Sequence, residues 1–404
     1  MSFQCRSCAV ERFAPVIDLG ETPLANALLE AAALDQPEAR YPLRVVFCRD
    51  CSLVQITETV PPEILFSNYV YFSSFSDTAV ASAKAIAQRL TAERKLGKNS
   101  LVMEAASNDG YLLQHYRERG VPVLGIEPAA NIAQIAERNG VPTRCAFFGR
   151  AEAERLASEG IRCDVFHANN VLAHVADLNG FVAGVKAVLK PDGVASIEVP
   201  YLGDLVDKLE FDTIYHEHLC YFSATALDRL FARHGLLLSD VERIPIHGGS
   251  LRLFVNHAPG QRSRRLKELL DQEVRLTEPA AYADFQARAS LLREQLVTLL
   301  NKLKTNGKKL AAYGASAKGA TLLNFCGIGR DLLDFVVDRS TVKQGKLTPG
   351  AHLPILPPED LLVRKPDYVL LLTWNFADEI LAQQAEYREL GGRFIIPVPE
   401  AHIV

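Results

Sequence analysis

From about residue 80 onward, apolar and polar positions along the chain alternate between a helical and an extended period. The run "DTAVASAKAIAQRLTAE" spaces its apolar residues as a helix does. After it come "SLVMEAAS", "VPVLGIEPA", "TRCAFF", "CDVFHANNVL" and "GVASIEVP", each short, apolar and separated from the next by a plausible helix. This alternation predicts a largely parallel sheet with helices on both faces, in which ligands bind at the carboxyl ends of the strands. A charged helical stretch, roughly Tyr282 to Lys304, carries leucines at helical spacing in "ASLLREQLVTLLNKL". A second series follows it, "KKLAAYGAS", "DFVVDRS", "DYVLLLTWNF" and "GRFIIPVP", and predicts a second α/β domain. The charged stretch from Gln261 to Ala281 is the expected boundary between the two.

The 404 residues suit two or three domains. A formal net charge of -4 gives no electrostatic footprint for nucleic acid, and the balance of apolar and charged residues fits an enzyme acting on small molecules. No apolar run approaches the roughly 18 residues that cross a bilayer. "MSFQCRSCAVERF" lacks the apolar core of a signal peptide, so a cytoplasmic protein without membrane partners is expected.

In a reducing compartment cysteines are thiols or metal ligands more often than disulfides. Cys5 and Cys8 in "CRSC" and Cys48 and Cys51 in "CRDC" repeat one spacing, and two such knuckles complete a tetrahedral zinc site. Four thiolates leave the metal no open position, so its role is structural, in a segment small enough to need it. Cys145, Cys163, Cys220 and Cys326 are scattered and read as spectators.

Within the first sheet, Glu104 ends a strand and is followed by Ser107, Asn108, Asp109 and Gly110 before a helix. The next strand ends in "GIEP", where Glu127 and Pro128 stand at the place of an acid that accepts ribose hydroxyls. A pyrophosphate needs close backbone approach at several glycines, whereas this turn has only Gly110, which favours S-adenosylmethionine over a dinucleotide. "ANNVLAHV", with Asn169 and Asn170, resembles the strand-four segment of class I methyltransferases, where the cofactor lies against the strand end.

The four-cysteine N-terminus, "EAASNDGYLL", "YHEHLCYFS", "HGGSLR" and "AAYGASAKGATLLN", in this order, resemble the bacterial C-methyltransferases of nucleotide-linked keto-deoxysugars over essentially the whole chain. The resemblance implies an α/β protein of three parts: a zinc-binding domain (1–75), a central class I, Rossmann-like methyltransferase domain (76–260), and a Rossmann-like C-terminal domain (261–404) that binds the nucleotide sugar with the central one. The implied reaction places a methyl group on the carbon beside a sugar ketone, commonly carbon 3 of a TDP-linked 4-keto-deoxyhexose. Carried over by residue, it makes Tyr215, Glu217 and His218 active-site groups, and brings Tyr69 and His174 to the sugar, with Tyr71 the alternative to Tyr69.

Such chemistry needs a base for the carbon beside the ketone, donors for the developing enolate oxygen and a site closed to water. Histidine, with an ordinary pKa near 6.5 against about 10 for tyrosine, suits proton abstraction better, and His218 is the expected base. Tyr215 would donate to the enolate oxygen or serve as an alternative base. On a helix, Tyr215 and His218 would lie one turn apart on one face. Glu217 would orient an imidazole, that of His218 or that of His216. A metal site at "HEH" would need a third ligand, for which His234, His247 and His257 are unspecific candidates. A buried polar corner is the other alternative.

In "YGASAKGA", Gly314, Ser316 and Gly319 are expected to form a turn at a helix N-terminus suited to a diphosphate, with Lys318 adding charge. Asp338 ends the next strand, where a ribose-binding acid would stand. These features also support a nicotinamide-dependent oxidoreductase, weakened by the serine at the second glycine position of the fingerprint. A catalytically silent sugar-nucleotide binder is a third reading, against which the intact tyrosine and histidine speak. "HGGSLR" offers His247 and Arg252 to a phosphate, or is a hairpin turn. With several domain interfaces inside one chain, a monomer or weak homo-oligomer is expected.

Overall fold

The computed structural model describes residues 3–61, 64–65, 74, 77–246 and 248–404. Among these residues the strands form three sheets. The first is an antiparallel meander of β1 (Phe13–Thr22), β2 (Tyr41–Cys48) and β3 (Val54–Ile56). Its fourth strand, Cys220–Tyr221, arrives from far downstream and pairs antiparallel with β3, Val54 opposite Tyr221 and Gln55 opposite Cys220. The cysteine knuckles flank this sheet, Cys5 and Cys8 ahead of β1, Cys48 at the end of β2 and Cys51 in the turn to β3.

The helix Asp77–Glu93 coincides with the Ala-rich run and buries Ala83, Ile86, Ala87 and Leu90, one stripe at helical spacing. The second sheet follows with β4 (Val102–Ala105), β5 (Val123–Ile126), β6 (Thr143–Arg144), β7 (Cys163–Asn169) and β8 (Leu189–Pro200), all parallel. After β9, the Cys220–Tyr221 strand of the first sheet, β10 (Leu236–Ile244) and β11 (Ser250–His257) form a hairpin added antiparallel to β8. The order is β10-β11-β8-β7-β4-β5-β6. Every residue of β4 is buried because helices cover both faces. The order reverses at β4, with β5 and β6 on one side and β7 and β8 on the other, and the crevice for a ligand opens at their carboxyl ends.

The stretch expected to separate the domains is itself structured. Ser263 caps the helix Arg264–Gln272 by accepting the Leu266 amide at 3.1 Å, and Leu266 and Leu269 are buried against the second sheet. The charges that suggested a boundary are the solvated face of this helix. The long helix Phe285–Thr305 then buries Leu292, Leu296, Leu300 and Leu303 and leads into the third sheet. Its strands are β12 (Leu310–Tyr313), β13 (Val336–Val337), β14 (Ile355–Leu356), β15 (Tyr368–Leu371), β16 (Arg393–Ile396) and β17 (His402–Ile403). The order β14-β13-β12-β15-β16-β17, parallel except for β17, is that of a Rossmann sheet, with its crevice between the ends of β12 and β15. Among the described residues no helix is long and apolar enough to cross a membrane.

Candidate active site

The carboxyl ends of β4, β5 and β7 gather most of the predicted cofactor residues. Glu127, after β5, accepts the amide of Asn108 at 3.0 Å with one carboxylate oxygen and that of Ala129 at 2.9 Å with the other, so it ties the turn after β4 to its own. That turn is tight: Asn108 has φ +50° and Gly110 φ +83°. A Cβ on Gly110 would lie 2.8 Å from the Val141 side chain. Burial pushes the Glu127 carboxyl up, against the pull of the two amides. Glu104, 1% exposed, is held well above the usual carboxylate range by burial and by the nearby Glu198, Glu127 and Asp109.

Around this crevice Oε2 of Glu104, Oγ of Ser107, Oδ1 of Asp109, and Oδ1 of Asn169 and Asn170 are buried without a hydrogen-bond partner. Buried polar atoms are normally satisfied, so this many unpaired oxygens at one place fit a ligand rich in hydrogen-bonding groups. The ribose hydroxyls, ammonium and sulfonium of S-adenosylmethionine match that need. Pro128 follows Glu127 at the crevice edge.

The segment Asp212–Phe222 leaves a short 3-10 helix, Phe211–Thr213, and runs through a turn into a two-residue strand. A turn closed by the His218 amide on the Tyr215 carbonyl, at 2.8 Å, precedes β9. The turn does what a helix would have done, bringing Tyr215 and His218 together: the phenol oxygen and Nε2 are 2.8 Å apart and the ring centroids 4.1 Å. Nδ1 of His218 lies 2.9 Å from the Thr213 carbonyl, which can only accept, so Nδ1 carries the proton and the phenol donates to Nε2. His174 stacks edge-on against His218 at 4.8 Å, and its own Nδ1 donates to the Glu217 carbonyl at 2.7 Å. Burial lowers His174 to about 4, so it is neutral.

Glu217 points away from the dyad. It is 5% exposed, accepts from Asn26 Nδ2 at 2.7 Å, and is pushed up to about 7 by burial. It therefore orients neither imidazole through its carboxylate. His216 is buried, donates to the Pro42 carbonyl at 3.2 Å and lies against Tyr41, away from His218. No cluster of metal-ligating groups forms at "HEH" among the described residues.

All three domains hold this segment. Beyond Asn26 and Pro42 from the first sheet, Thr321 donates to the Ile214 carbonyl at 2.9 Å, and the Trp374 indole donates to Asp212 at 2.6 Å. Trp374 follows β15 at the crevice of the third sheet, and Lys318 Nζ stands 5.1 Å from its ring centroid without a hydrogen-bond partner of its own. Gly314, at φ +93°, ends β12, and Ser316 caps the helix Ala317–Cys326 by accepting the Gly319 amide at 3.1 Å. The Asp338 carboxylate takes the amides of Ala315 and Ser340, each at 2.8 Å. This repeats, in the third sheet, the clasp that Glu127 makes in the second.

Arg252 departs from its expected place. It lies on β11, 6% exposed, paired with Glu198 of β8 at 2.7 Å and bonded to Ser82 at 2.9 Å. Burial in the sheet demands this neutralisation, and the guanidinium serves the methyl-transfer domain's interior instead of a phosphate. Gly248 and Gly249, both at positive φ, make the β10–β11 hairpin turn. His247, Tyr69 and Tyr71 lie outside the described residues. Asn26, Asp212 and Trp374 were not anticipated. The lone tryptophan directly after an apolar strand was a usable signal, whereas "TPLANALLE" offered none.

The four N-terminal thiols lie within 4.8 Å of one another, with Cys5 and Cys51 sulfurs 3.5 Å apart and those of Cys8 and Cys48 3.6 Å apart. Zinc–thiolate bonds of about 2.3 Å give a tetrahedron with edges of about 3.8 Å, so the cluster has the dimensions of a zinc site. Gln55 Nε2 donates to the Cys5 sulfur at 3.1 Å, a contact that supports a thiolate.

Family profiles match residues 5–66 as a zinc binding domain, 79–239 as a methyltransferase domain and 245–399 as a C-methyltransferase C-terminal domain. The C-methyltransferase NovU of Streptomyces niveus is 36% identical over 99% of this chain and 96% of its own length. A ubiquinone biosynthesis O-methyltransferase of Bartonella tribocorum is 27% identical over 24% of this chain and 39% of its own. Among solved structures, the 1,6-didemethyltoxoflavin-N1-methyltransferase of Burkholderia thailandensis aligns with 52% of this chain and 97% of its own, at 19% identity and a TM-score of 0.37.

Proposed function

This chain belongs to the family of C-methyltransferases that join a zinc-binding, a methyltransferase and a C-terminal domain, with S-adenosylmethionine as methyl donor and zinc at the N-terminal cysteines, and we propose that its acceptor is a nucleotide-linked keto-deoxysugar, methylated at the carbon beside the ketone. The acceptor of the proposal is a TDP-linked 4-keto-deoxyhexose and the carbon is carbon 3. The observation that carries the reading is the hydrogen-bonded pair of Tyr215 and His218.

A carbon beside a ketone becomes nucleophilic only when its proton leaves. In this reading His218 acts as the base through Tyr215: the phenol oxygen takes the proton from carbon while its own proton passes to the proton-free Nε2 of His218. Nδ1 stays bonded to Thr213, which keeps the imidazole in the tautomer that accepts and leaves it an imidazolium after the transfer. When bound, S-adenosylmethionine would supply an electrophilic methyl group on a sulfonium for the enolate carbon, with S-adenosylhomocysteine as the leaving group. The chain's part is to hold both reactants and exclude water. His174, and Tyr69 by resemblance, complete the sugar side. Gly314, Ser316, Lys318 and Asp338 hold the nucleotide, supported by their position at the crevice of a Rossmann-order sheet and by the Lys318 ammonium, which is buried without a hydrogen-bond partner.

The test is mass spectrometry of the protein incubated in deuterated water with S-adenosylmethionine and TDP-4-keto-6-deoxyglucose or related keto sugars. Methylated sugar, with deuterium entering the carbon beside the ketone when the donor is withheld, is the expected result. In His218→Ala, exchange and methylation both fall by about 100-fold or more while donor affinity is kept. Equal exchange in wild type and variant would remove the dyad from the mechanism.

A further inference from the structure

The loop between β1 and β2 is fastened to the C-terminal domain at two places. Leu29 and Leu347 exchange backbone hydrogen bonds of 3.0 and 2.8 Å, and Lys346 pairs with Glu30 at 3.2 Å. Further along, the Glu38 carboxylate accepts the Gly350 amide at 3.0 Å and lies 3.3 Å from His352 Nε2. Just ahead of these anchors the same loop presents Asn26, whose amide reaches the buried Glu217 carboxyl at 2.7 Å.

Two features make this more than a packing contact. Asn26 is solvent exposed, yet it serves a carboxyl group that is almost fully buried one residue from His218. The titratable groups about Glu217 are His174 after β7 and Tyr215, His216 and His218 on its own turn. None of them sets its ionisation, which is governed by burial first and by the Asn26 amide opposing it.

We propose that Asn26 is a positioning residue for the methyl transfer: borne on a loop of the zinc domain that the C-terminal domain anchors, it fixes the Glu217 carboxyl and thereby the turn that presents Tyr215 and His218. The inference rests on the active-site assignment above. A hydrogen bond donated to a carboxylate favours its charged form, so Asn26 also tunes when Glu217 ionises. The zinc domain is by this account part of the catalytic apparatus, and the loop joins it to the domain proposed to hold the nucleotide.

The titration of Glu217 can be followed in the full-length protein by infrared spectroscopy, through the carboxylic-acid carbonyl band that Glu217→Gln removes. In Asn26→Leu the midpoint of that band moves to higher pH by about one unit. Asn26→Asp, which keeps the shape and replaces the donor with an acceptor, moves it in the same direction and separates loss of the donor from loss of volume. The limb of the kcat profile governed by Glu217 follows the band, with KM little changed. Glu38→Gln, which loosens the anchor, gives a smaller shift of the same sign. An unchanged midpoint in both Asn26 variants overturns the proposal. The infrared reading needs no substrate, so a wild type that titrates as expected but methylates no keto sugar would overturn the functional assignment and leave the contact standing.

Discussion

Glu217 carries a stability consequence separate from its part in the turn. Burial pushes its carboxyl up to about 7 in the folded protein, from an ordinary value near 4.5. Between these values the native state keeps a proton that the unfolded chain has released, so stability falls as pH rises through the window and levels off above it. Glu217→Gln keeps an acceptor for Asn26 and has nothing to titrate. Its stability, followed by thermal and denaturant unfolding, should therefore gain on the wild type between pH 5 and pH 8, toward a limit of about 3 kcal/mol. Parallel pH responses of the two proteins would show that the carboxyl is not held neutral. Tyr215 and His218, on the same turn, remain open enough to meet a substrate.

At the scale of elements, the strands that frame the proposed cofactor crevice were legible because each combines a short apolar run with small turn residues. The turn after β4 could be placed from Gly110 and its polar neighbours. Gly110→Ala tests whether that geometry serves the cofactor: with φ +83° and Val141 2.8 Å from the new Cβ, the turn must shift. A loss of about 1–3 kcal/mol of stability and of at least about ten-fold in S-adenosylmethionine affinity is expected by calorimetry, and unchanged affinity would separate the turn from the cofactor. The segment carrying "YHEHLCYF" was legible as chemistry but not as structure. A two-residue strand pairing with Val54 and Gln55, far away in sequence, leaves no periodic trace. The polar pattern could not tell that Glu217 turns toward Asn26 while Tyr215 and His218 meet, because a turn sets those directions and neither helical nor strand periodicity applies. Arg252 shows the reverse error. A guanidinium after two glycines reads as a phosphate ligand until the neighbouring strand brings Glu198 beside it.

Across the whole molecule the boundaries between domains are less clean than the sequence implied. The first sheet is completed by β9, which belongs in sequence to the methyltransferase region, and Asn179 and Arg233 of that region bond the backbone of the first cysteine knuckle. Structural zinc in such a small unit contributes folding energy directly, so its removal should act beyond the N-terminus. Loss of the metal should loosen β3, on which β9 and the adjoining turn proposed as catalytic depend, but spare the crevice at the ends of β4, β5 and β7, whose clasp between Glu127 and Asn108 lies wholly within the second sheet. Chelation, or Cys5→Ser, should therefore lower the thermal midpoint, metal content and methyl transfer together while S-adenosylmethionine still binds with nearly its original affinity. Calorimetric titration of the cofactor into metal-free protein decides the matter. Retained binding with lost turnover places the zinc domain in the catalytic apparatus, whereas binding and turnover lost in step would mean that the metal supports only the global fold.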